Sequence, residues 1–251
     1  MAAGLGSIFR AILQWMRLLN KQGLGMKECS KAVIRRSADI NFANRYFAGS
    51  GIDIGGAPDP LWLYQEFFPR MGPIRVWDLA DGDAQFMAGV ADETYDFVHS
   101  SHCLEHLHDP FEGLRHWFRI IKPGGYVIVT IPEEDMYEQG VFPSVNNPDH
   151  KSSFTMFKTK SWSPHSVNVL ELVQSLGEAA DIQKLHRLDS TFRYGLPRFD
   201  QTTTPIGECA IEMIIRKRTP AEIERGGRLP DPTRGLTREA FTLLTGHTPP
   251  G

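Results

Sequence analysis

Several short stretches of this chain carry residue types suited to chemistry. Asp53-Ile54-Gly55-Gly56-Ala57-Pro58-Asp59 sets a glycine pair directly behind a short apolar run. With no side chains there, a ligand can reach the backbone, and the start of a following helix offers free N–H groups. Asp78 ends the next apolar run, a place from which a carboxylate can accept both hydroxyls of a ribose. Gly82-Asp83-Ala84 follows, where an acid beside the site could accept from an adenine amino group. In His102-Cys103-Leu104-Glu105-His106, positions 102, 105 and 106 share one face if a helix starts there, so they could hold a divalent metal. His150, within Asn147-Pro148-Asp149-His150-Lys151, could take a hydroxyl proton as a neutral imidazole. Cys103 sits in an apolar context without signs of a lowered pKa, so no covalent nucleophile stands out.

The elements that must position these residues alternate. Residues 51–54, 74–78 and 95–99 read as strands, and 126–131 is almost pure β-former, the signature of a central buried strand. Between them, 59–71 reads as a helix with Leu61, Leu63, Tyr64, Phe67 and Phe68 on its inner side. A second, 110–121, is ended by the helix stop and turn Lys122-Pro123-Gly124-Gly125, and Asp96 reads as a solvated turn residue. This order implies a parallel sheet covered on both faces. Residues 133–164 are polar, aromatic and irregular, which suggests a lid over an active site, and His150 falls inside it. A helix over 167–176 and an edge hairpin from 180–188 and 208–216 complete the domain. Upstream, Ser7 is a candidate N-cap for an apolar helix to Asn20, whose stripe is too wide for free solvation. Its own domain, a sister subunit or a membrane surface must cover it, and a weaker helical stretch runs on to about Phe47. The chain thus divides into a helical extension over 1–50, a domain over 51–218 and a tail over 219–251, with one short helix near 237–244.

Taken in order, Asp53-Ile-Gly-Gly56, Gly82-Asp-Ala84, Tyr95-Asp-Phe-Val98, Ser100-Ser-His-Cys-Leu-Glu-His-Leu107 and Ile121-Lys-Pro-Gly-Gly125 resemble the class I S-adenosylmethionine-dependent methyltransferases. The flavour is that of a bacterial subgroup with an Asp81-Gly-Asp-Ala-Gln85 segment. The resemblance implies an α/β fold with a doubly wound, mostly parallel sheet and S-adenosylmethionine as cofactor. It places Asp53, Gly55, Gly56 and Ala57 around the methionine part, Asp78 at the ribose, Asp83 and Ala84 beside the adenine, and Ser100, Ser101 and His102 facing the methyl group. His102 or His150 is the expected base. Ala57 and Asp59 replace the second and third loop glycines, and Pro58 removes an N–H. The helix after the second strand is nearly absent, so the ribose role could slip among Asp78, Asp81 and Asp83. Some enzymes of the class bind a metal through Glu-x-x-Glu-His. Here His102 replaces the first Glu, and many relatives use Glu-His-Leu only to anchor a helix. No metal is expected; His102, Glu105 and His106 are the candidates if one is used, with His150 a fourth only if the lid folds over them.

Composition narrows the partners. With 27 basic and 30 acidic residues the chain has a net charge of −3, which argues against a nucleic-acid partner. No apolar run is long enough to span a membrane. Cys29, Cys103 and Cys209 are far apart and odd in number, which excludes a disulfide framework and points to the cytoplasm. The expected partners are a small-molecule or glycan acceptor, with nucleotide-sugar hydroxyls suggested by the resemblance to polysaccharide-pathway enzymes, and a sister subunit through the N-terminal helix. A catalytically inactive scaffold on the same fold is the alternative, motivated by the altered glycine loop and the apolar N-terminal helix. An NAD-dependent oxidoreductase is disfavoured, since the third glycine of its fingerprint and a Tyr-x-x-x-Lys pair are missing.

Overall fold

The structure, a computed structural model, describes residues 27–230, 242–243 and 245–247. The apolar helix expected over 7–20 lies outside them, as does most of the helix expected near 237–244. The chain divides after Arg218 into two units. In the second, α4 (Pro220–Glu224) begins with a capping box between Thr219 and Glu222.

The first unit is built on a six-stranded sheet of order β2-β1-β3-β4-β8-β7. Its strands are β1 (Gly49–Ile54), β2 (Met71–Trp77), β3 (Tyr95–Ser101), β4 (Ile121–Pro132), β7 (Ala180–Leu188) and β8 (Ala210–Lys217), while β5 (Ser153–Thr155) and β6 (Ser166–Asn168) form a separate parallel pair. β2, β1, β3 and β4 are parallel, and β8 runs antiparallel between β4 and β7. The expected α/β fold with a mostly parallel sheet is therefore present. The chain leaves β1 toward β2 on one side and later places β3 on the other. That creates a switch point at the carboxyl ends of β1 and β3, where open α/β sheets bind ligands.

Alternation along the strands feeds two cores. Val98, Val127, Val129 and Ile215 face one way and pack with Trp117, Leu114 and Leu172 from α2 (Pro110–Arg119) and α3 (Val169–Gln174). Phe97, Tyr126, Ile128 and Ile214 face the other way and meet Phe42, Tyr46 and Phe47. Those aromatics follow α1 (Glu28–Ser37), in a π-helical turn over Phe42–Tyr46. Residues 28–47, read from the sequence as part of an extension, thus supply one covering layer of the core.

Local geometry corrects several expectations. The segment expected as a helix over 59–71 is a 3₁₀ stretch, Leu61–Phe67, broken at Tyr64. Leu61 and Phe68 are buried, but Leu63 and Phe67 are 47% and 46% exposed, so the expected inner face is split. Pro58, Pro60 and Pro69 bracket it, and the Asp59 carboxylate accepts both the Tyr64 hydroxyl and the Ser30 N–H, pinning the segment to α1. The turn at Lys122-Pro-Gly-Gly is taken into the start of β4, and the β3–β4 register shifts there. Asp96 lies within β3, where it accepts from Ser50 N at 2.8 Å and pairs with Lys122 Nζ at 2.8 Å.

The Phe97 ring packs against β1 at Gly51, where a Cβ would lie only 2.2 Å from the end of the ring. Gly51→Ala is therefore expected to cost about 1–3 kcal/mol through overpacking. Denaturant unfolding should show a lower midpoint with an unchanged slope.

Candidate functional site

The glycine loop leaves β1 with Gly55 at φ +73°, a left-handed backbone that glycine adopts without strain. Gly55 N donates to Trp77 O at 2.8 Å, tying the loop to β2. A Cβ on Gly56 would collide with the Asp53 carboxylate, and one on Gly55 would press on Cys103. The buried Asp53 carboxylate is occupied within the protein: Oδ2 accepts from Leu61 N at 2.7 Å and Oδ1 faces His99 Nδ1 at 2.6 Å. It fixes the path of the loop, with each oxygen engaged by a group of the protein. Ala57 is exposed on the rim.

Asp78 follows the last residue of β2 and is half-buried, with Oδ1 accepting from Leu79 N at 2.8 Å. Asp81 is committed to the turn and to a neighbour, accepting from Asp78 N at 3.0 Å and from Arg75 Nη2 at 3.2 Å. Leu79 is 94% exposed, an apolar side chain held open beside Asp78. Asp83 accepts from Gln85 N at 2.8 Å, and the carbonyls of Gly82 and Ala84 are anchored by Trp77 Nε1 and Trp117 Nε1. Two buried tryptophans thus hold in place a loop that has no helix. Ser100 is fully buried and donates to Ile54 O at 3.0 Å across the sheet, whereas Ser101 is half-buried at the end of β3.

His102 follows β3 with φ +56°, an uncommon conformation for a non-glycine residue and a frequent one at functional sites. Its Nδ1 lies 3.3 Å from Glu105 Oε1 and its Nε2 lies 3.6 Å from Glu28 Oε2. Burial disfavours a charged His102, but Glu105 and Glu28 outweigh it and raise the pKa. Burial likewise opposes the Glu105 carboxylate, and His102 and its neighbours nevertheless hold it below the usual range. From the lid, His150 comes within 4.0 Å of the same Oε1 through Nε2, while its Nδ1 meets Glu138 at 2.8 Å. Lys151 N and Ser152 N both donate to Glu105 O, so the backbone that follows His150 is fastened beside the histidines. Tyr137 stacks on the His150 ring. Burial pushes the Cys103 thiol up to about 12, in keeping with a site without a covalent nucleophile.

A glycine loop, a carboxylate after the second strand and a pair of histidines beside Glu105 all lie on the segments that leave β1, β2, β3 and β4. The profile of the methyltransferase-domain family matches residues 29–177. The chain belongs to that family. As a methyltransferase-family member it shares the fold of a SAM-dependent methyltransferase from Archaeoglobus fulgidus, at 17% identity over 80% of this chain and 98% of the other, with a TM-score of 0.50. It is also similar to the 1,6-didemethyltoxoflavin-N1-methyltransferase of Burkholderia thailandensis, solved with 1,6-didemethyltoxoflavin and S-adenosylhomocysteine bound. There the identity is 15% over 87% of this chain and 89% of the other, with a TM-score of 0.45. No curated protein matches the sequence. Among the described residues no helix is long and apolar enough to cross a membrane.

Behind the loops of this methyltransferase domain runs a buried polar chain that the motifs did not reveal. Arg36, from α1, reaches His99 Nε2 at 2.9 Å, Thr130 Oγ1 at 3.1 Å and Glu212 Oε2 at 3.0 Å. Because Arg36 can only donate, His99 must accept at Nε2 and donate from Nδ1 to Asp53. One tautomer is thereby fixed, and the carboxylate that shapes the glycine loop is linked across one face of the sheet to Glu212 in β8. The strand register carried one signal for this: Asp53 and His99 are direct neighbours across β1 and β3. Glu138 was also missed, since nothing local marks it as the partner of His150.

Proposed function

We propose that this methyltransferase uses S-adenosylmethionine to methylate a hydroxyl of a small-molecule or glycan-type acceptor by in-line displacement. The observation that carries the reading is the meeting of His102 and His150, from β3 and the lid, on either side of Glu105. Methyl transfer from a sulfonium needs alignment and exclusion of water, with no covalent enzyme intermediate. A hydroxyl acceptor also needs a group to receive its proton, and the two histidines, both within 4.0 Å of Glu105 Oε1, supply candidates. Gly55 and Gly56 would leave room for the methionine part of the cofactor, Asp78 would bind the ribose, and Leu79 with the Asp83-Ala84 segment would flank the adenine. Ser101 and His102, which follow the buried Ser100 at the end of β3, would border the methyl group. Asp53 acts through the loop it holds. The three unpaired cysteines support a reducing compartment, the cytoplasm.

The test begins with mass spectrometry of small molecules carried through purification, to identify an acceptor. In a methyl-transfer assay with that acceptor, alanine at whichever histidine is the base should lower the rate by roughly 10²–10⁴-fold. Cofactor affinity should stay near that of the parent. Unchanged rates in both His102→Ala and His150→Ala would remove the base from the mechanism, and a protein that binds no S-adenosylmethionine would be a scaffold on this fold.

A further inference from the structure

The sequence offers His102, Glu105 and His106 as metal ligands, with His150 a fourth only if the covering segment folds over them, and the flanking Leu104 and Leu107 argue for a docked helix instead. The structure brings together a different set. One ligand atom each from Glu105, His106 and His150 lies within 4.8 Å of the others. His102, which precedes the 3₁₀ turn Leu104–His106 with a left-handed backbone, approaches the same Glu105 oxygen at 3.3 Å but is not part of that set.

Glu105 is fully buried, yet neither of its carboxylate oxygens makes a hydrogen bond. A buried carboxylate without such bonds is costly, and the neighbouring imidazoles face it at 3.3 Å and 4.0 Å without supplying them. Each imidazole of the cluster is instead fastened from behind. His150 Nδ1 is 2.8 Å from the buried Glu138, and His106 Nδ1 is 3.0 Å from Asp149. Those carboxylates accept the Nδ1 protons, so the Nε2 atoms are left as lone-pair donors. A carboxylate behind each histidine is the arrangement that orients imidazoles toward a metal. The two ring centroids sit 5.0 Å apart at 80° to one another, an edge-to-face contact without stacking.

We infer that Glu105, His106 and His150 form a binding site for a divalent transition metal of the zinc type. Two imidazoles and one carboxylate suit borderline ions better than magnesium or calcium, and three protein ligands leave a position open for water or an acceptor oxygen. Metal–ligand bonds of about 2.0–2.2 Å place tetrahedral ligands roughly 3.4 Å apart. The 4.0 Å between His150 Nε2 and Glu105 Oε1 would thus close by about 0.6 Å, and a pair at the 4.8 Å limit of the cluster by about 1.4 Å. With His150 as a ligand, His102 remains as the proton acceptor of the proposed reaction. The metal site itself does not depend on that reaction.

The test uses the full chain, stripped by a chelator, dialysed and titrated with Zn²⁺ by calorimetry without cofactor. The expected result is one equivalent bound, lost in Glu105→Gln and His106→Ala, with Glu138→Gln weakening affinity about 10–100-fold. The thermal midpoint and S-adenosylmethionine affinity of each variant report its fold independently, and His106, on the surface side of the cluster, gives a variant that should fold even if Glu105→Gln does not. No Zn²⁺ binding by the parent chain, or the same stoichiometry and affinity in His106→Ala and Glu138→Gln, would overturn the site. Either result would leave the methyl-transfer reading standing.

Discussion

Glu212→Ala is expected to destabilise the protein by about 3–5 kcal/mol, the range for removing one partner of a buried ion pair. Glu212 sits in β8 with no exposed surface and gathers Arg36 at 3.0 Å, Arg35 at 2.7 Å and Lys184 at 3.6 Å. Arg35 keeps Glu208 when Glu212 is removed, at 2.8 Å. Arg36 does not have that recourse. It is 1% exposed, and its remaining contacts, His99 and Thr130, carry no negative charge, so a guanidinium would be left buried without a counter-ion. Glu212→Gln keeps the volume and removes only the charge, which separates the electrostatic loss from the cavity.

The same carboxylate gives the pH dependence a sign. Burial alone would raise its pKa, but Arg36 and Arg35 outweigh that and lower it from 4.5 to about 2. A depressed carboxylate stabilises the fold fully above its unfolded value and loses that contribution as pH falls through the folded one. The window is therefore about pH 4.5 down to about 2, and the contribution at neutral pH is on the order of 3 kcal/mol. Urea midpoints should fall steeply across that window in the parent and much less in Glu212→Gln. Equal acid slopes in the two proteins would show that the cluster does not anchor the fold.

The central strands were legible because 126–131 is an unbroken β-forming run and the glycine pair marks where the first strand must turn. The segment after the loop was not, because its apolar residues have helical spacing. Prolines at 58, 60 and 69 and the grip of Asp59 on α1 decided its shape instead. The His-x-x-Glu-His spacing suggested one helical face, but a left-handed residue at 102 breaks that face and lets the lid bring His150 in its place. The site residues least visible in sequence are those that act over distance. Arg36 reaches a histidine 63 positions away through the length of its side chain, a contact with no local periodicity to announce it.

The most direct test of the account is S-adenosylmethionine binding by the parent protein and by Asp78→Ala, measured by calorimetry. Asp78 stands at the end of β2, while Asp81 is held by Arg75 and by the turn. Two charge-assisted hydrogen bonds to a ribose would each be worth about 1.5–3 kcal/mol. Asp78 is half-buried on a surface loop, so the fold should change by no more than about 0.5 kcal/mol. The account predicts one equivalent of cofactor bound by the parent, and affinity lowered well beyond tenfold in the variant with its melting temperature kept. No binding by the parent at millimolar cofactor, or a variant within tenfold of it (about 1.4 kcal/mol), would contradict the placement of the cofactor at these strand ends.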